Sequence, residues 1–227
     1  MGLADDLKSE VEAIFQEQWS VRDGEVVPEM DDVQLANEGV KLRATVLYAD
    51  IDGSTNMVDS KKAWFSAEVY KTYLLCASRI IRSEGGEITA YDGDRVMAVF
   101  IGDSKNTSAV RCGLRIEGAV FKIINPAIKA QYDIDFELRQ VVGIDTSELL
   151  VARTGIRGAN DLVWVGRAAN HAAKLSSLSE YPYSVFISAA VHESMHESVR
   201  LVNGSNMWQQ RSWNGDTVYR SSWYWPV

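Results

Sequence analysis

Two aspartate-bearing stretches stand out: Asp50-Ile51-Asp52-Gly53-Ser54-Thr55 and Tyr91-Asp92-Gly93-Asp94-Arg95. Carboxylates drawn to one place repel, and one is pushed to a high pKa unless a cation joins them. A ligand set made only of oxygens favours a hard ion, Mg²⁺ or Mn²⁺, completed by water and substrate phosphates. Asp52, Gly53, Ser54 and Thr55 supply a complementary half. A glycine and small hydroxyl residues between a strand and a helix leave backbone N–H groups free to hold a triphosphate. The second stretch also has a plainer reading, since Asp-Gly is a favoured two-residue hairpin loop with Asp94 as its polar shoulder. Asp92 and Gly93 are expected to make that turn and to present Asp94 at its exit. Farther on, Asn170 and Lys174 lie four apart, with Arg167 three earlier on the same helix face.

Positioning these groups requires a particular order of elements. Residues 3–19 read as a helix, with Leu7, Val11, Ile14 and Phe15 at helical spacing, and residues 20–40 as a polar connection containing Pro28. Ala44–Ile51 is a buried strand. Residues 60–83 form a long helix stopped by Gly85-Gly86. A hairpin of residues 87–91 and 95–100 follows. A second helix over about 105–124 is expected to stop near Pro126. Residues 137–145 and 161–166 are strands, and the helix carrying Asn170 lies between them and a further strand at 184–188. The tail ends in a hairpin turned by Asn214-Gly215. Strand, helix, strand, strand, helix, strand is the order of a ferredoxin-like α+β sandwich, in which the first and third strands are antiparallel neighbours. Asp50 closes the first and Asp94 opens the third, so the two carboxylates should meet at one sheet edge.

Composition sets the outer limits. The 227 residues, 46% hydrophobic and 24% charged, suit a soluble globular protein of one large domain, or of one domain with an added piece. No apolar run approaches the ~18 residues of a membrane span, and the acidic N-terminus lacks the basic start and apolar core of a secretion signal. Cys76 and Cys112 read as reduced core residues of a cytoplasmic protein. Of the 31 acidic groups, 11 fall in residues 1–38 against only Lys8 and Arg22. The remaining body is nearly neutral, and no strongly basic stretch that would steer the chain toward nucleic acid is visible, so no nucleic-acid binding is expected. The expected division is an acidic helix and linker over 1–40 and a catalytic domain over 41–227.

Leu47–Thr55, Tyr91–Phe100, Val142–Asp145 and Gly166–Leu175 together resemble the class III nucleotidyl cyclases in order and spacing, across about residues 42–190. The resemblance implies a ferredoxin-like cyclase domain in which two metals hold a nucleoside triphosphate and the ribose 3′-oxygen attacks the α-phosphorus. Asp50, Asp94 and the Ile51 carbonyl would hold the metals, Asn170 would orient the ribose, and Lys174 would stand where the family has the arginine that stabilises the pentavalent phosphorus. Lysine brings the charge without the planar fork. The family's active sites form between two subunits, which implies a homodimer. Purine cyclases read the base with a lysine or glutamate where this chain has Ala90, and with a polar partner where it has Val163. Neither residue here hydrogen-bonds to a base, and the bulky neighbours Tyr91 and Trp164 would narrow the space. Residues 37–55 are most similar to the pyrimidine cyclases of bacterial anti-phage (Pycsar) defence, implying cyclic UMP or cyclic CMP made for a separate effector.

Three other readings compete. An adenylate cyclase with an atypical base pocket is one. A catalytically degenerate cyclase fold kept as a regulatory module is another, which the Lys174 and Ala90 departures would suit but the surviving aspartates and Asn170 oppose. His192-Glu193-Ser-Met-His196 formally matches the H-E-x-x-H zinc-protease pattern, but it needs a third ligand and His171 is the only other histidine. The tryptophans of the tail (Trp208, Trp213, Trp223, Trp225) are read as core or dimer packing.

Overall fold

The structure is a computed structural model that describes residues 2–227. In chain order the elements are α1 (Leu3–Gln16), β1 (Ser20–Asp23), β2 (Glu38–Ile51), α2 (Ser54–Ser60), α3 (Ala63–Ser83), β3 (Glu87–Asp92), β4 (Arg95–Phe100) and α4 (Lys105–Ala119). They continue with α5 (Asn125–Gln131), β5 (Gln140–Ile156), β6 (Ala159–Val165), α6 (Arg167–Leu175), β7 (Val185–Ser188) and α7 (Ala189–Ser194). Short β8 (Leu201–Val202) and β9 (Ser205–Asn206) precede the hairpin of β10 (Gln209–Trp213) and β11 (Asp216–Ser221). The chain groups into two compact units, the residues through Arg43 with Glu148–Gly166, and Ala44–Ser147 with Arg167–Val227. β2 and β5 each contribute residues to both units.

In the first unit, α1 starts with the Gly2 amide donating to Asp5 Oδ2 at 3.1 Å, and acidic groups in its first turn favour the helix dipole. Its apolar stripe of Leu3, Leu7, Val11, Ile14 and Phe15 is exposed. Asn37 closes the other end by donating to the carbonyls of Ile14 and Glu17 at 2.7 and 2.8 Å, groups that a helix end leaves unpaired. The stretch expected to be a plain connection contains β1, which pairs in parallel with Glu38–Lys41. β6 forms a hairpin with Leu150–Ile156 of β5.

In the second unit the strands lie in the order β10-β11-β7-β5-β2-β4-β3. The four strands of the βαββαβ core thus stand fourth, first, third, second, as a ferredoxin-like sandwich requires, and β7, β11 and β10 extend the sheet. Parallel pairing of Val142 with Val185 makes the sheet mixed. Leu47, Ala49, Ala98, Phe100 and Ile144 from the sheet pack with Tyr73, Ala77, Ile81 and Leu114 from α3 and α4. Each such large buried side chain contributes roughly 1.5–3 kcal/mol. The helix expected to end near Pro126 goes on instead. A π turn at Val120–Ile124 widens the spiral so that Pro126, which lacks an N–H, sits in the first turn of α5, where that donor is not needed.

Candidate active site

Asp50 and Asp94 meet, as the topology demands. β2 and β4 are antiparallel with Ala49 opposite Val96, so the register carries Asp50 to Arg95 and Ile51 to Asp94 at the strand ends. The loop that delivers Asp94 differs from the expected one by a residue. Asp92 pairs with Arg95 as the last rung of the hairpin, which leaves Gly93 and Asp94 as its two loop residues. Gly93 has φ +61°, while among the described non-glycine residues only Asn203 and Asn214 have positive φ. A left-handed first position alone is the glycine-led form of a two-residue hairpin loop. Asp94 is therefore part of the turn, held rigidly at the tip.

Burial and the negative charge of Asp94 push the Asp50 carboxyl up to about 6, against the pull of Arg95. One oxygen of Asp94, Oδ2, is buried with no hydrogen-bond partner among the described residues. A buried carboxylate oxygen without a partner, beside a repelling carboxyl, suits a bound cation. No cluster of three or more His, Cys, Asp or Glu side chains suited to a metal occurs among the described residues. A cation here would therefore rest on two carboxylates, the Ile51 carbonyl and oxygens from outside the chain. Such a set fits Mg²⁺ or Mn²⁺.

Residues absent from the sequence-based site also converge on it. Tyr70 on α3 lies close to Ser54, and its hydroxyl pKa rises through burial and the charge of Asp94. Tyr73, one turn later on α3 and fully buried, has its hydroxyl pKa raised first by burial and then by the charge of Asp50. Arg95 pairs with Asp92 at 2.9 Å and lies 5.4 Å from the Tyr48 ring. The signal for Arg95 was present as the neighbour of Asp94; nothing local marks Tyr70.

The phosphate loop is narrower than its sequence suggests. Gly53, at φ +73°, reverses the chain into α2. The Asp52 amide is already spent on the Arg139 carbonyl at 3.0 Å, and its Oδ2 accepts from Ser179 Oγ at 3.0 Å. Gly53, Ser54 and Thr55 are the residues left at the mouth of α2.

On α6, Arg167, Asn170 and Lys174 share the exposed face, while Ala168, Ala169, His171, Ala172 and Leu175 are buried. The side chains of Asn170 and Lys174 make no hydrogen bond or ion pair to another described residue, though the Lys174 carbonyl accepts from the Ser177 amide at 3.3 Å. Asp145, which anchors this helix, is set well down β5 from the Asp50 end. Arg139 lies beside Asp52, whereas Thr146 Oγ1 donates to the Ala44 carbonyl at 3.1 Å. That offset of about five residues along the strands is ~16 Å.

Ala90 and Tyr91 lie on β3, opposite Met97 and Val96. The Tyr91 hydroxyl is 2.8 Å from Ser78 Oγ on α3, so its ring turns to the helix side and Ala90, by alternation, to the other. Tyr91 is thereby drawn away from the space beside Ala90 that it was expected to narrow. Val163 and Trp164 lie on β6 in the other unit, opposite Ala152 and Val151.

The H-E-x-x-H match has no metal geometry. α7 ends at Ser194, so His192 and His196 are not on successive turns of one helix. His192 stacks on Tyr219 at 3.7 Å, and His196 Nδ1 lies 2.9 Å from Ser198 Oγ and accepts the Ser198 amide at 3.1 Å. Among the described helices none is long and apolar enough to cross a membrane.

No protein-family model matches the chain. It is 55% identical to a uridylate cyclase of Burkholderia cepacia over 231 residues, covering all of both chains. It is 51% identical to a uridylate cyclase of Xanthomonas perforans, again over the whole of both. Among solved structures it resembles the adenylyl cyclase CyaB from P. aeruginosa, with a TM-score of 0.68 and 25% identity, covering 81% of this chain and 95% of the other.

Proposed function

The chain belongs to the uridylate cyclase family within the class III nucleotidyl cyclases, and we propose that it converts UTP to 3′,5′-cyclic UMP and pyrophosphate at a site built from Asp50, Asp94 and α6. The observation that carries the site is the unpartnered Asp94 oxygen beside the raised carboxyl of Asp50. In the reaction the ribose 3′-hydroxyl gives up its proton, the O3′–Pα bond forms, and the bond from Pα to the pyrophosphate oxygen breaks. Divalent cations bound there would make the 3′-hydroxyl more acidic and screen the departing pyrophosphate. Asp50, Asp94 and the Ile51 carbonyl would hold the cations, Gly53, Ser54 and Thr55 offer amides and hydroxyls to the triphosphate, and Tyr70 stands beside Ser54.

Asn170 orients the ribose and Lys174 neutralises charge gathering on the phosphoryl oxygens. These two project from a helix anchored ~16 Å along the sheet from Asp50, which favours a homodimer whose sites each join the aspartates of one subunit to α6 of the other. Ala90 and Val163 offer no hydrogen bond to a purine, and Trp164 adds bulk, so the pyrimidine is favoured, with CTP second. The likeness of residues 37–55 to Pycsar cyclases supports a role as the source of a second messenger in anti-phage defence, read by a separate effector. Complementation tests the assembly. An inactive Asp94→Ala chain mixed with an inactive Lys174→Ala chain regains part of the activity, because one site per mixed dimer is whole. A mixture that stays inactive while its subunits exchange places the site within one chain.

A further inference from the structure

The buried side of α6 is held by a charged assembly with no part in the chemistry above. Asp145 on β5 has a side chain that is 0% exposed. Its Oδ1 accepts from the Thr146 amide at 2.8 Å and from Arg167 Nη2 at 3.1 Å, and its Oδ2 lies 3.2 Å from His171 Nδ1. A carboxylate only accepts, so His171 carries its proton on Nδ1. Arg167 also donates to the Thr146 carbonyl at 3.1 Å, and the Ala168 amide donates to Ser147 Oγ at 3.0 Å. Gly143, two residues earlier on the same face of β5, lets the helix come close. A Cβ there would stand 2.1 Å from the Ala172 carbonyl oxygen and 2.4 Å from the Ser176 nitrogen. The outer edge of the His171 ring lies beside Trp213, with ring centres 5.7 Å apart, and Nε2 is 3.9 Å from Asp216 Oδ2.

Stability alone does not call for this arrangement. Ala168, Ala169, Ala172 and Leu175 already give α6 a buried apolar face, and a buried charge often adds nothing that a well-packed apolar residue would not. An apolar face nevertheless leaves a helix free to roll, and each residue of slip turns it by about 100°. Arg167 and His171, one turn apart and both gripping Asp145, remove that freedom. We propose that Asp145, His171 and Arg167 form a seat that sets the rotation of α6 and so aims Asn170 and Lys174 at the ribose and phosphoryl group. They are positioning residues, and the inference rests on the reading of α6 given above.

The test compares His171→Leu, which keeps bulk but breaks the seat, with His171→Asn, which retains a donor near the Nδ1 position. With UTP and Mn²⁺, His171→Leu lowers kcat about ten- to a hundredfold, as an ångström-scale misplacement does. KM stays within about threefold, and His171→Asn recovers most of the loss. Leu114→Ala, a core truncation in α4, loses thermal stability but keeps kcat. Should His171→Leu not fold by circular dichroism, Arg167→Gln, a change to a solvent-facing side chain, is read for the same split between kcat and KM. Wild-type kcat in the folded variant, a parallel change in KM, no rescue by asparagine, or an equal loss in Leu114→Ala overturns the seat. Lys174→Ala run alongside separates the two levels: wild-type turnover there removes the reading of α6 itself. An inactive Lys174→Ala beside an active His171→Leu removes only the seat.

Discussion

Replacing Asp50 with asparagine should abolish cyclisation and, in the absence of metal, make the protein more stable. The carboxyl is moved from its ordinary value of 3.8 to about 6, first by burial and then by Asp94. Two pKa units correspond to roughly 3 kcal/mol against the ionised form at neutral pH. Asp50 is only half-buried, so solvent screening reduces this to about 1–2 kcal/mol. The sign follows from proton binding. The folded carboxyl holds its proton more tightly than the unfolded one, so the metal-free wild type gains stability as pH falls from 7.5 through about 6 toward 3.8. Asp50→Asn already has the neutral form and loses that dependence. Glu117, raised chiefly by burial, titrates in the same sense in both proteins and cancels in the difference. Urea unfolding in EDTA at pH 7.5 should therefore show Asp50→Asn about 1–2 kcal/mol more stable than wild type, the gap narrowing to about half by pH 5 and closing near the ordinary value of 3.8. Adding Mn²⁺ with nucleotide should stabilise the wild type and reverse the order. A variant clearly less stable than wild type in EDTA at pH 7.5 would refute the argument that Asp50 and Asp94 are held in mutual repulsion.

Gly93→Ala meets no atom within 4 Å but must take φ +61°, at a cost of about 1–2 kcal/mol; unfolding should show that loss, and kcat should fall as Asp94 shifts, with Gly93→Asn milder on both. Tyr70→Phe removes a hydroxyl close to Ser54 and to the charge of Asp94, and should raise KM for the triphosphate several-fold with the thermal midpoint nearly unchanged. Ala90→Lys with Val163→Asp should lower kcat/KM for UTP about tenfold or more, measured by initial rates, since a polar pair then faces a base that does not satisfy it.

The βαββαβ core and the meeting of Asp50 with Asp94 were legible because hydrophobic patterning and antiparallel pairing of first and third strands leave little choice. The hairpin loop was misplaced by one residue. Asp-Gly and Gly-Asp both suit two-residue loops, and only the pairing of Asp92 with Arg95 decides between them. β1 was hidden because Ser20–Asp23 is exposed throughout and carries no alternation of buried and exposed positions. Pro126 suggested a helix end, but a π turn absorbs it. Tyr70, Tyr73 and the contact of Asp145 with α6 come together only through tertiary packing, as does the turn of Tyr91 toward Ser78. A charged residue closing the apolar run Val141–Ile144 was nonetheless a sign that Asp145 is buried for a reason.

The central claim is that this site cyclises a pyrimidine nucleoside triphosphate. Incubation of the protein with equal concentrations of UTP, CTP, ATP and GTP and Mn²⁺, with products separated by chromatography, tests it most directly. Cyclic UMP should dominate, with cyclic CMP second, and both should disappear in Asp94→Asn. A dominant cyclic AMP or cyclic GMP product, or undiminished turnover in Asp94→Asn, would contradict the account.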